Sequence, residues 1–260
     1  MAVAMHALKR RRDQWLWRLF ATGASFAMFG IGGLILRVLI LPTFALLPGG
    51  PTARRRRARA AISRAFHWHV QFMYRTRVLD FRIDGAERLG RPGQLIIANH
   101  PSLIDVVFLI SQIRDANCVI KASLWHNPYM HGAVRAAQYI SNNPEILEQA
   151  AAVLREGQTL IMFPEGTRTT PGQPPVFHRG AAAIALRGAR TITPVYITVK
   201  PSTLTKAEAW YHIPWRRMVV HLRVGDDLDP AAFNDAPMPI ASRKLNQHLH
   251  HLFLEGLKSL

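Results

Sequence analysis

The chain has 260 residues, 49% of them hydrophobic, which is enough for one large domain with a buried core and excludes a largely disordered chain. Its one cysteine, Cys118, excludes an internal disulfide, sits in no zinc-type Cys/His spacing, and points to a reducing, cytosol-facing compartment. The net charge of +17 is uneven: residues 1–77 carry 14 Lys/Arg against one acid (net +13), and residues 78–260 carry 19 against 15 (net +4). An excess of that size suits anionic lipid or nucleic acid.

The basic run Lys9–Arg12 precedes an apolar stretch from Leu19 to Gly50 that only Arg37 interrupts, and a second basic run, Arg54–Arg57, follows. The stretch is long for a signal peptide and has no clear small-residue cleavage site. A single span is long enough, but basic flanks on both sides give it no preferred orientation. A two-helix hairpin bent near Arg37 to Pro42 and buried in one leaflet satisfies both flanks at once. Arg54–Arg57 lacks interleaved aromatics, so lipid explains it better than nucleic acid does. From Ala58 to Tyr74, Ile62, Phe66, Val70 and Met73 recur at helical spacing, predicting an amphipathic helix. His67 and His69 point to different sides of that helix, so no metal site is expected there.

The rest alternates strand and helix signals. Strands are predicted over residues 78–83, 95–98, 117–120, 139–140, 159–163, 191–199 and 218–224. Helices are predicted over 102–113, within 122–137, from 144 to 155, over 179–187 and over much of 240–257. The fold class expected is α/β: a layered mixed sheet flanked by helices, residues 78–260, behind an N-terminal helical membrane anchor, residues 1–77. Trp125, Trp210 and Trp215 are candidates for the membrane–water boundary or for ordinary packing.

Two loops carry chemistry. The run Leu95–Ile97 leads into Asn99-His100-Pro101-Ser102-Leu103-Ile104-Asp105, a histidine followed by an aspartate after four intervening residues. Histidine can take a proton near neutral pH, and a carboxylate can fix its tautomer. No serine elbow or cysteine nucleophile accompanies the pair, so the simplest use is a base acting on a substrate hydroxyl. The second loop, Phe163-Pro164-Glu165-Gly166-Thr167-Arg168, follows another buried strand. Glycine allows close approach of a ligand to backbone, and Arg168 suits a phosphate or carboxylate. Glu165 has three readings: an acceptor for substrate hydroxyls, an anchor for the loop, or an ion-pair partner of Arg168.

These two loops closely resemble the His-x4-Asp and Glu-Gly-Thr-Arg motifs of the 1-acylglycerol-3-phosphate acyltransferase family, in the family's order and spacing. Phe177-His178-Arg179-Gly180 and Thr193-Pro194-Val195-Tyr196-Ile197 add to the likeness, which covers roughly residues 78–225. The resemblance implies a membrane-associated O-acyltransferase on the cytosolic face of the inner membrane. His100 would be the general base and Asp105 its orienting partner. Glu165, Gly166, Thr167 and Arg168 would bind the acceptor, with Asn99 and Ser102 beside them. The co-substrate would be an acyl-CoA or acyl carrier protein thioester, with no tightly bound cofactor and no metal; the partners would be membrane lipid and acyl carrier protein, not nucleic acid. One motif departs: Ser141-Asn142 stands where the family commonly has an acidic–basic pair. Either Ser141 and Asn142 bind a different head group, such as that of an ornithine-lipid precursor, or Lys121, Arg168 or another basic residue supplies the missing charge. A catalytically inactive membrane scaffold is the reading of another class.

Overall fold

The computed structural model describes residues 14–125, 127 and 130–260; the Lys9–Arg12 run lies outside the described residues. Seven strands form one mixed sheet: β1 Leu79–Asp84, β2 Gln94–Ala98, β3 Ala116–Ile120, β4 Ile140–Ser141, β5 Thr159–Met162, β6 Thr191–Lys200 and β7 Met218–Val224. Their order is β1-β7-β6-β2-β5-β3-β4. From β6 to β4 every pairing is parallel, while β7 runs antiparallel to β6 and carries β1 at the edge.

Alternation along the strands builds two cores. In β2, Ile96 and Ala98 face one side and Leu95 and Ile97 the other, all fully buried. The first side packs under α2 (Gly50–Arg75), α3 (Asp105–Gln112) and α4 (His131–Ala137). The second packs under α5 (Ile146–Arg155), α6 (Gly180–Gly188) and α7 (Met238–Lys258). Sequence and structure agree on each of these elements to within a few residues, apart from the start of α2; α4 lies inside its predicted window, which opens with a single 3-10 turn, Ala122–Trp125. The layered mixed sheet is therefore the one expected.

The N-terminal region differs in detail. Helix α1, Trp15–Ile35, continues through a wide π-type turn at Leu36–Ile40 and a last turn at Leu41–Thr43. This continuous segment, Trp15–Thr43, is the one helix among the described residues long and apolar enough to cross a membrane. The chain reverses only after Thr43, so the elbow lies later than the Arg37–Pro42 bend expected. Pro42 lies in the last turn of this segment, directly after the widened turn at Leu36–Ile40, which accommodates a residue with no N–H to donate. The return arm is the basic helix α2 itself, which starts eight residues before the predicted one.

Helix α2 is fastened to the sheet domain by a buried arginine. Arg59 donates to Ala137 O at 2.8 Å, Gln158 Oε1 at 2.8 Å and Asp115 Oδ1 at 3.2 Å, and its side chain is 1% exposed. Helix α1 is held at its start. Arg18 Nη2 donates to Pro214 O and Trp215 O, and Trp15 packs against Trp215 at 5.7 Å. Trp210 packs at a tilt against Phe26 at 5.8 Å, so these two tryptophans, half exposed, clasp the apolar helix.

Candidate active site

The parallel order places β2 beside β5, so the loops leaving their carboxyl ends emerge side by side, where open α/β sheets collect ligands. The first loop turns directly into α3, and Asp105 is that helix's first residue, a favourable place for negative charge. Asp105 is completely buried, and its carboxylate accepts three hydrogen bonds. His100 Nδ1 lies 2.8 Å from Oδ2, Ser102 N donates to Oδ2 at 2.7 Å, and Ser102 Oγ donates to Oδ1 at 2.5 Å. Because the carboxylate only accepts, Nδ1 carries the proton and Nε2 keeps its lone pair. The imidazole stacks on Phe163 from the second loop, with centroids 4.4 Å apart, and its side chain stays 20% exposed.

The second loop is tied to the first through Glu165. Its Oε1 accepts from His100 N at 2.9 Å and from Thr169 Oγ1 at 2.7 Å, while Thr169 N donates to His100 O at 2.7 Å. Of the three readings open for Glu165, the structure displays the loop anchor. Burial pushes its carboxyl above the usual glutamate range, opposed by the donors of Thr169 and His100. Arg168 forms no ion pair with Glu165 among the described residues. Its Nη1 donates to Leu204 O at 3.0 Å and Thr205 O at 2.8 Å. Leu204 O also accepts from Leu103 N at 3.0 Å, so one carbonyl braces both loops. Leu204 holds a left-handed φ of +56° to do so, a strained choice for a branched side chain. Gly166, at φ +64°, occupies the same region at no such cost.

A cavity of about 690 Å³ opens at His100, within the usual range for ligand pockets. Its mouth carries His100, Lys121, Asn142, Thr167, Arg168 and Lys206. Its depth runs between α1, α2 and the sheet, with Phe29, Leu36, Ile62 and Phe66 on the wall. The sequence-predicted residues thus divide into two groups. His100, Gly166, Thr167, Arg168, Lys121 and Asn142 line the cavity. Asn99, Ser102, Glu165 and Ser141 do not.

Each of the four has a visible reason. Asn99 is buried, donating to Ile197 O and accepting from Ile197 N, both at 2.8 Å, which clamps the loop to β6. Ser102 is spent on Asp105, and Glu165 on the two loops. Ser141 ends β4, and only its neighbour Asn142 reaches the cavity, with Oδ1 also accepting from Ala122 N at 2.8 Å. Asn99, Ser102 and Glu165 thus make hydrogen bonds within the protein, and Ser141 lies outside the residues that line the cavity. Sequence reasoning missed Phe163 as a stacking partner, Thr169, the Leu204–Thr205 carbonyls and Lys206.

A buried acid–histidine pair at the mouth of an apolar cavity, with cations around it, suits acyl transfer to a lipid hydroxyl. An acyltransferase family profile matches residues 80–198, a span that contains both loops and the central strands. Over residues 80–198, a little under half of its length, the chain matches the acyltransferase family. Among its relatives is a 1-acyl-sn-glycerol-3-phosphate acyltransferase of Pseudomonas aeruginosa, 23% identical over 192 residues, covering 70% of this chain and 71% of that protein. Another of the same name from Borreliella burgdorferi is 30% identical over 122 residues, covering 44% of this chain and 49% of the relative. The crystal structure of the 1-acyl-sn-glycerophosphate acyltransferase PlsC from Thermotoga maritima superimposes with a TM-score of 0.69 at 21% identity, covering 96% of each chain. That likeness shows a shared fold. As an acyltransferase the protein is an enzyme of the lipid-synthetic kind its sequence suggested.

Proposed function

We propose that this acyltransferase moves a fatty acyl group from an acyl-CoA or acyl carrier protein thioester to the free hydroxyl of a lysophospholipid, 1-acyl-glycerol-3-phosphate above all. The reaction would run on the cytosolic face of the inner membrane. The observation that carries the reading is the cavity, with the proton acceptor and cations at its mouth and an apolar depth beneath helix α1.

The acceptor hydroxyl gives its proton to His100 Nε2 while its oxygen attacks the thioester carbonyl carbon. As the tetrahedral intermediate collapses the carbon–sulfur bond breaks, and the departing thiolate takes the proton back from His100. Asp105, held by Ser102, stabilises the imidazolium between these steps and prevents the ring from turning. Arg168, Lys121 and Lys206 line the cavity and would face the acceptor's phosphate, supplying the charge that Ser141-Asn142, in place of the acidic–basic pair, lacks. The hydrocarbon chains stay near the bilayer, avoiding a desorption cost of about 0.8 kcal/mol per methylene.

The test is mass spectrometry of products made by purified enzyme from acyl-CoA or acyl carrier protein thioesters and a panel of lysolipids. Phosphatidate from lysophosphatidate is the expected product. A product formed only from a lyso-ornithine lipid would replace the acceptor and favour Asn142 as the head-group contact. No acyl transfer to any member would sink the reading.

A further inference from the structure

A second cavity, of about 730 Å³, opens at the elbow of the hairpin, where the end of α1, the start of α2 and helix α4 meet. Four arginines line it, Arg37, Arg54, Arg55 and Arg135, and among its described lining residues there is no carboxylate. Their positions are set by the fold. Arg37 lies across Gly132 of α4, where a methyl group would stand 2.7 Å from Arg37 Cγ. Arg55 donates from Nη1 to Gln138 Oε1 at 3.1 Å, while its buried Nε has no partner.

Of these, Arg54, Arg55 and Arg135 crowd like charge around one space, a repulsion that an entering anion relieves. Their planar forks match the oxygens of a phosphate. Next to them, at the tip of the elbow, Leu46 is 86% exposed and Leu47 48% exposed. A free phosphate has no use for that apolar tip, whereas a bilayer does, because leucines sunk among acyl chains bring the arginines to headgroup depth. We infer that the elbow cavity binds the phosphate of an anionic bilayer phospholipid, at a site separate from the catalytic cavity. The two cavities share no lining residue, yet α4 forms a wall of both. The inference does not depend on which acceptor the enzyme uses.

The experiment measures partitioning of the full-length protein onto phosphatidylcholine vesicles with and without phosphatidylglycerol. The apolar helix gives a baseline on both, and the anionic lipid is expected to add to it. Each basic residue near an anionic surface contributes about fivefold in partitioning. The triple variant Arg54→Gln/Arg55→Gln/Arg135→Gln should therefore lose the phosphatidylglycerol increment by between about tenfold and about a hundredfold. A charge-matched control, Arg155→Gln/Arg187→Gln/Arg190→Gln on the sheet domain, should keep it. Should the triple variant fold poorly, Arg54→Glu, a reversal at an exposed position, gives the same readout. Equal losses in the elbow and control variants, or no loss in either, would overturn the site in favour of diffuse charge. Inorganic phosphate, read by thermal shift, is expected to do nothing. A shift that the elbow variant abolishes would assign the cavity to a soluble anion and overturn the lipid assignment.

Discussion

The catalytic edge of the sheet and the helical hairpin above it treat charge in opposite ways. At the edge, Asp105 is fully buried with three donors, and Glu165 is buried with two. These two carboxyl groups are paired within the protein, which holds the His100 imidazole in place. Around the hairpin the arginines outnumber the acids within reach, and Asp115 alone takes both Arg56 and Arg59. One region pairs its charges internally and the other carries an excess of positive charge.

The largest expected effect tests whether the edge is rigid independently of its catalyst. His100→Ala removes the proton acceptor but leaves Asp105 its two donors from Ser102. Acyl transfer should fall by about 10²–10⁴, the usual worth of a positioned general base. The melting temperature should change little, since the side chain is partly exposed and only one hydrogen bond is lost. An assay of purified variant with most of its activity intact would remove His100 from the mechanism. A collapse of the fold would instead show that the edge is not self-sufficient.

The two regions also differed in how well the sequence revealed them. His100 and Asp105 were legible because both lie within one turn of chain, and the loop at Glu165 because it follows a buried strand at once. Strand positions were equally plain from apolar runs such as Leu95–Ile97. The sheet order was not, since the antiparallel entry of β7 beside β6 depends on a long connection with no periodic signal. Nor was the role of Arg168, whose partners are backbone carbonyls some 36 residues away. Carbonyls leave no mark in a sequence. The elbow was misplaced because Pro42 reads as a breaker, although behind the widened turn at Leu36–Ile40 the helix runs on to Thr43.

A middling effect is expected from the one group that breaks the pattern on the hairpin side. His69 of α2 is buried against the cavity, edge-on to Phe29 at 5.3 Å, with no partner for Nδ1. Burial pulls its pKa down to about 4. The unfolded chain takes up that proton near pH 6.5 and the folded one resists it, so stability is lost as pH falls from about 6.5 towards 4. The full loss is about 3 kcal/mol at the lower end. Chemical denaturation of His69→Phe beside the parent protein checks this: the variant should be less sensitive across that window. Parallel pH profiles would mean that water or lipid already solvates the imidazole.

The smallest effect separates two uses of Glu165 at the edge. Its carboxyl is raised by burial, so the folded protein holds that proton more tightly than the unfolded chain. Stability from this group is therefore greatest at low pH and is lost as pH rises through the folded value. Glu165→Gln keeps an oxygen to accept from His100 N–H and Thr169 OH, removes the buried charge, and should abolish that loss. Its kcat should fall by no more than about tenfold, the worth of a weakened hydrogen bond or two. Glu165→Ala leaves both donors unanswered and should fall further. If the two variants lose activity equally, the carboxylate charge acts on the substrate. If Gln retains activity and Ala does not, Glu165 holds His100 in place, and the edge is complete without its charge.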